Sequence, residues 1–325
     1  MRSKYISILI PTYNNKDYIS NLLNSILEQT YKSVEIIIID DGSTDSTQEV
    51  VLQYEKKYEE KGYILKYIWQ ENQGQSVAIN NGLKLVEGEY LAWPDADDFY
   101  IDSRALEKMV NTLESNEDAG ICYSFANLYD GKNIIGKLEY NNNNIFIDSI
   151  YGQNGFYFQP ICYMVKSTKL FERIPDREIY TEKNAGQNWQ LMLPLFYDTQ
   201  VIKIPEYLCN IYVRKNSHSR GTYSSVDKKA ILINSYNNTL INTINRISMD
   251  EEDKKGLIHN INFHYKNILL SHFWRTKSFK EFRRIYKANS YLHTRRNMWN
   301  FFVSFFPFFR YIQFSDERIK RIIRK

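Results

Sequence analysis

A chain of 325 residues, 43% hydrophobic and 25% charged, has enough apolar surface for one large core or two domains, which excludes a disordered or fibrous protein. Three widely spaced cysteines, Cys122, Cys162 and Cys209, with no CxxC pair, argue against a disulfide framework and a zinc site and point to a reducing, cytoplasmic setting. The net charge of +4 is uneven: Phe273–Lys325 holds 14 Lys/Arg against 3 Asp/Glu, so an acidic body ends in a basic tail that suits a negatively charged partner.

The first strand is read at Tyr5–Ile10, ended by Pro11 and lacking the features of a signal peptide. Ile19, Leu22, Leu23, Ile26 and Leu27 recur at helical spacing. Glu35–Asp40 is β-branched and reads as a buried strand, broken by Asp41-Gly42-Ser43; Ser46 and Glu49 match a capping box for the next helix. Leu65–Trp69 is a third strand, Gln75–Val86 a helix stopped near Gly88, and Tyr90–Trp93 a short strand. Leu106, Met109, Val110 and Leu113 form a helical stripe capped by Asp102 or Ser103, followed by a strand at Gly120–Tyr129. Lys137–Phe158, rich in Asn and Gly, reads as loop; Ile161–Val165 rejoins the sheet, and Asn188–Tyr197 is a helix.

This alternation predicts βαβ units: an α/β, Rossmann-like, mostly parallel sheet flanked by helices, whose ligands bind at the carboxyl ends of the strands. Four polar clusters follow strands and are expected to converge on that edge: Thr12–Asn15, Asp40–Asp45, Gln70–Gln75 and Asp95–Asp98. From Val226 to about Leu292 the pattern is helical, with stripes at Leu240, Ile241, Ile244, Ile247 and at Ile258, Ile261, Tyr265, Ile268, Leu269. The expected division is a catalytic domain over 1–225 and a helical C-terminal region over 226–325. Asn297–Phe309 is uncharged, Phe-rich and flanked by Arg295, Arg296 and Arg310. It is too short for a bilayer span, which needs about 20 residues. It suits an in-plane anchor on an anionic membrane surface, the alternative being a terminal element packed on the body.

The chemistry concentrates in two acidic strings. In an extended loop, Asp95 and Asp97 would face one side and offer two hard oxygen ligands to Mn²⁺ or Mg²⁺; an acidic loop that only caps the next helix is the plainer alternative. Asp40-Asp41-Gly42-Ser43-Thr44-Asp45 could bind a base edge or ribose, or serve only as a strand-to-helix turn. No GxGxxG, P-loop, GxSxG or HExxH is present, and no nucleic-acid-binding module precedes the tail, so nucleic acid is not expected as a partner.

The ordered set Ser7–Asn14, Ile39–Asp45, Asn72-Gln73-Gly74, Ala78–Gly82, Gly88-Glu89-Tyr90 and Asp95-Ala96-Asp97-Asp98 resembles glycosyltransferase family 2 over Ser3–Tyr129. The resemblance implies a GT-A fold and inverting transfer of a sugar, hexosyl-type, from a nucleotide-diphosphate donor, most often UDP-linked, to an acceptor hydroxyl. It places Pro11, Thr12, Tyr13, Asn14 and Asp41 around the nucleoside; Asn72, Gly74 and Ala78 along the nucleotide pocket; and Asp95, Asp97 and Asp98 at metal, diphosphate and sugar. Tyr212-Val213-Arg214 with Ser217-His218-Ser219 is similar to a loop over the diphosphate, with Arg214, Ser217 and Ser219 on the donor and His218 a possible metal ligand.

Two departures matter. Ile79 stands where relatives often have Arg. Gly186-Gln187-Asn188-Trp189 stands where many have a Glu-Asp pair before Trp, and neither amide can accept a proton at neutral pH. The general base is therefore open, with Glu182 and Asp98 as candidates and Gln187 and Asn188 as acceptor-orienting groups. A saccharide or lipid-linked saccharide acceptor in surface polysaccharide synthesis fits the tail. The competing readings are a catalytically silent nucleotide-binding or membrane-docking protein and a nucleotidyltransferase-like enzyme.

Overall fold

The computed structural model describes residues 1–141, 144–182, 185–214 and 225–305. Two compact units emerge: Met1–Arg220 with Asn238–Met249, and Gly221–Asn237 with Asp250–Lys325.

The first unit is built on one mixed sheet. Strands β1 (Arg2–Thr12), β2 (Val34–Asp40), β3 (Ile64–Trp69) and β4 (Gly88–Ala92) are joined by helices α1 (Ile19–Leu27), α2 (Thr47–Leu52), α3 (Glu55–Lys61) and α4 (Gln75–Leu83). They pair in parallel in the order β3-β2-β1-β4. Ile36–Ile39 are all fully buried, as both faces of a central parallel strand must be. Helix α4 lies so close to the sheet that a Cβ on Gly82 would fall 2.1 Å from a Leu9 methyl, which only glycine permits.

Beyond β4 the pairing turns antiparallel. Strand β5 (Phe99–Tyr100) and helix α5 (Ala105–Glu114) precede β6 (Ala119–Tyr129), β7 (Ile134–Leu138), α6 (Ile145–Tyr151), β8 (Tyr163–Lys166), α7 (Ser167–Arg173), α8 (Asn188–Asp198) and β9 (Gln200–Tyr212). The sheet continues β4-β8-β6-β9-β5, with β7 on β6. Strand β8 runs antiparallel between β4 and β6, whereas β9 lies parallel to β6.

Three local expectations need correction. Lys137–Phe158 is not all loop: it contains the end of β7 and helix α6, whose cap Asn144 accepts the Ile147 N–H. Ser46 makes no capping hydrogen bond; Asp45 accepts the Thr47 N–H instead. Helix α4 ends at Leu83 rather than Val86. All three cysteines are buried free thiols, with the Cys162 and Cys209 sulfurs 3.4 Å apart.

The second unit is helical: the start of α9 (Val226–Arg246), then α10 (Glu251–Arg275), α11 (Phe279–Ala288) and α12 (Arg295–Val303). Asp250 caps α10 by accepting from Glu252 and Asp253. Among the described residues no helix is long and apolar enough to cross a membrane.

Candidate active site

Parallel register aligns the carboxyl ends of the strands. Thr12 pairs with Asp40, and Asp40 with Trp69. The two acidic residues ending β2 then part. Asp40 is fully buried and accepts from the Ser43 N–H at 2.7 Å and the Tyr67 hydroxyl at 2.5 Å. Asp41 faces the loop after β3 and accepts from Gln70 Nε2, the Gln73 N–H and the Gly74 N–H, each at 2.8 Å. A carboxylate has about four lone-pair sites, so three internal donors leave one for a ligand N–H or O–H. Gly42, at φ +80°, brings the turn against Asn72, whose side chain donates to the Asp41 carbonyl. Asn14, in left-handed conformation, receives the Thr44 N–H and organises the same turn.

The loop after β3 also reaches the acidic turn after β4. Gln75 Nε2 donates to Asp95 Oδ1 at 3.0 Å, one residue beyond the Gly74 N–H that holds Asp41. Asp41 and Asp95, 54 positions apart in the chain, are thus tied through one short loop. Asp95–Asp98 is a turn closed by the Asp98 N–H on the Asp95 carbonyl, not the extended loop expected. The negative charge of Asp97 is still felt at Asp95. Burial, then the Asp97 charge, pushes the Asp95 carboxyl up to about 7, against the opposing pull of Gln75 and Arg214. Burial, then Asp97 and Asp95, raises Asp98 well above the usual carboxylate range.

Asp98 is 3% exposed and accepts the Tyr212 N–H at 2.9 Å, joining the turn to the end of β9. The antiparallel pairing of Phe99 with Asn210 sets this contact. It also brings Arg214 to an ion pair with Asp97, its guanidinium 4.6 Å over the Tyr18 ring, which meets Tyr212 edge-on.

A second group lies around α8. Asn80 of α4 exchanges two hydrogen bonds with the Ile179 backbone, which ties the irregular segment leading to Glu182 onto α4. Glu182 is half-buried and accepts from the Tyr180 hydroxyl. Gln187, at 1% exposure, has both side-chain polar atoms buried and unpartnered among the described residues, as does Asn188 its Oδ1. Each such atom costs about 1–3 kcal/mol if nothing binds it.

Pro11, Thr12 and Ala78 are buried under these loops, while Tyr13 is 44% exposed beside them. Ser217, His218 and Ser219 lie outside the described residues. Sequence reasoning missed Gln70, Gln75 as a partner of Asp95, and Tyr18. Both glutamines sit in the polar cluster after β3 and could have been suspected; Tyr18 shows its role only through a residue 196 positions away.

Comparison with known proteins is consistent with this arrangement. An uncharacterized glycosyltransferase of Rickettsia typhi is 38% identical over 132 residues, 40% of this chain and 39% of that protein. Glycosyltransferase GlyA of Streptococcus pneumoniae is 36% identical over 124 residues, 37% of this chain and 17% of that protein. The matched stretch thus spans 39% or less of the length of these two curated relatives. Among solved structures, Staphylococcus aureus TarS 1–349 with UDP-GlcNAc superposes with TM-score 0.63 at 17% identity, over 91% of this chain and 89% of that one. The mannosyltransferase PcManGT of Pyrobaculum calidifontis, solved with GDP-Man and Mn²⁺, gives 0.54 at 16% identity, over 95% and 86%. The fold is therefore GT-A. The pattern that defines "Glycosyl transferase family 2" matches residues 7–179, more than half of the sequence, and the chain belongs to that family.

Proposed function

We propose that the protein is an inverting glycosyltransferase that moves a sugar from a nucleotide-diphosphate donor, UDP-linked, to an acceptor hydroxyl. The observation that carries this reading is the loop linking Asp41 to Asp95: one side holds a carboxylate with an acceptor site left for a nucleoside, the other an acidic pair for a diphosphate-bound cation. Asp41 takes the base, with Pro11, Thr12 and Tyr13 beneath and beside it, and Asn72, Gly74 and Ala78 line the nucleotide.

The donor set fits Mn²⁺ or Mg²⁺. These ions take hard oxygens, often only one or two carboxylates, and complete their shell with phosphate and water. Asp95 and Asp97 supply two carboxylates; burial first, then the Asp97 charge, raises Asp95, and a bound cation would offset both. When bound, the ion acts as a Lewis acid toward the leaving diphosphate. Arg214, paired with Asp97 and held over Tyr18, would supply a cation for a phosphate oxygen of the donor.

The acceptor oxygen attacks the anomeric carbon opposite the departing diphosphate. Asp98, buried and accepting the Tyr212 N–H on one oxygen, is read as a positioning residue that joins the acidic turn to the end of β9. Glu182, half-buried, is the base in this reading, and the Gln187 amide and Asn188 Oδ1, unpartnered among the described residues, would meet neighbouring acceptor hydroxyls. A lipid-linked saccharide suits such an acceptor.

Calorimetry with UDP- and GDP-sugars, with and without Mn²⁺, tests the reading. Cation-dependent binding followed by release of nucleoside diphosphate upholds it. Binding without turnover on any acceptor favours a silent nucleotide-binding protein; no binding of any donor refutes it.

A further inference from the structure

Helix α12 is inside out. Its packed face carries Asn297 at 7%, Asn300 at 6% and Val303 at 1% exposure. Its outward face carries Met298, Trp299, Phe302 and the following Phe305, each about half exposed at 53%, 54%, 49% and 50%. The orientation is fixed by polar contacts. Asn297 Nδ2 donates to Asn267 Oδ1 at 2.8 Å and to the Leu292 carbonyl at 2.9 Å, and Arg283 Nη1 donates to the Ser304 carbonyl at 2.9 Å. Phe301 stacks on Tyr286 of α11 with centroids 4.5 Å apart. The described part of the Phe-rich segment, Asn297–Phe305, thus has one face packed on neighbouring helices of the second unit and the other presenting large apolar side chains to solvent. Exposed apolar area of this kind costs free energy until something covers it.

The surroundings specify what covers it. Arg295 and Arg296 are exposed on its first turn, and Lys280, Arg284 and Lys287 are exposed on α11. Arg283 lies 4.6 Å over the Phe305 ring and Lys287 6.0 Å over Phe301, so cations flank the aromatic rings directly. Across 273–305 there are eight Lys/Arg and one acid, Glu281, which pairs with Arg284. A second copy would bring the same positive field against itself. An anionic surface with an apolar interior satisfies both features, and Trp and Phe framed by Arg and Lys are the residues that seat at a lipid interface.

We propose that the Met298–Trp299–Phe302–Phe305 face docks on an anionic lipid bilayer, with the apolar side chains in the acyl boundary and the cations of α11 and α12 on the headgroups. The inference is independent of the transferase reading, since vesicle binding needs neither donor nor cation.

The test is sedimentation of the full chain with vesicles of phosphatidylcholine alone, or with roughly a third phosphatidylglycerol. The expected result is binding to the anionic vesicles only. Trp299→Ser/Phe302→Ser/Phe305→Ser, which alters outward side chains, should lower that binding at least tenfold with the far-UV spectrum unchanged. Arg284→Glu/Lys287→Glu/Arg296→Glu should lower it about a hundredfold or more. Full binding by the serine variant would overturn the proposal by moving the contact to residues 306–325 or elsewhere. Equal binding to neutral vesicles, no binding by the wild type, or a dimer that the serine substitutions dissociate would each overturn it too.

Discussion

The two halves of the first unit build their polar sites by different rules. From β1 to β4, every functional cluster sits at or within a few residues of the carboxyl end of a parallel strand: Thr12–Asn15, Asp40–Asp45, Gln70–Gln75, Asp95–Asp98. From β5 to β9, each key contact joins distant positions, such as Asp98 with Tyr212, Arg214 with Asp97, and Asn80 with Ile179. A donor side made by local strand-loop-helix geometry is expected to be rigid. On the proposed reading, an acceptor side assembled by antiparallel pairing and buried amides should tolerate change without disturbing it.

The largest effect that can break this contrast lies at the junction of the halves. Asp97→Ala should abolish cation-dependent donor binding and lower kcat by about 10³-fold or more, because a carboxylate facing the cation is lost. Donor affinity unchanged in the presence of Mn²⁺ would remove Asp97 from the site. The acidic turn also predicts a pH response. Asp95, held up to about 7, must lose its proton before it can hold a cation. Mn²⁺ affinity, read by calorimetry, should fall about tenfold for each pH unit below 7 and level off above it. A flat profile between pH 5.5 and 8, a range set at roughly one unit either side of that value, would contradict the argument from burial and the Asp97 charge.

Next in size is the acceptor side. Glu182→Gln should reduce turnover about 10²- to 10⁴-fold, the usual worth of a general base, with donor affinity within about twofold of wild type. If donor binding falls together with kcat, the two halves are not separable and Glu182 belongs to the nucleotide site. The link itself is Asn80. Asn80→Ala strips partners from the N–H and carbonyl of Ile179 and should destabilise the fold by about 1–3 kcal/mol, measured by denaturant unfolding.

The same contrast explains what could be read in the sequence. The β-branched run Glu35–Asp40, the helical stripe from Ile19 and the strand at Tyr90 carry periodicities set by burial, and the structure places elements there. Strand β9 escaped notice because its 13 residues alternate irregularly, with Pro205 and Glu206 interrupting the apolar pattern and register shifts against β6. Helix α6 was hidden by the Asn-rich stretch that caps it. Within the candidate site, Asp41 and Asp95 could be named from their strings. That Asp40 turns inward to Tyr67 while Asp41 turns to the loop depends on which face of β2 each ends on, a matter of register rather than composition.

The smallest effect tests how far local signals can be trusted even on the donor side. The Ser46–Glu49 spacing matches a capping box, yet the Ser46 side chain caps nothing. Its place is taken by Asp45, whose Oδ1 accepts from the Thr47 N–H and hydroxyl and whose Oδ2 accepts from the Lys16 N–H. Asp45 therefore closes α2 and fastens the loop after β1 to the loop after β2 with one carboxylate. Ser46→Ala should then change stability by less than about 0.5 kcal/mol, as an uncommitted surface substitution does. Asp45→Ala should cost about 1–2 kcal/mol in thermal or denaturant unfolding, the usual worth of a cap plus the loop contact. A reversed order would restore the capping box, and with it the idea that the donor-side loops are specified by nearest neighbours alone. The predicted order says instead that even here one side chain is chosen for its reach across two strand ends, as Asp41 and Gln75 are.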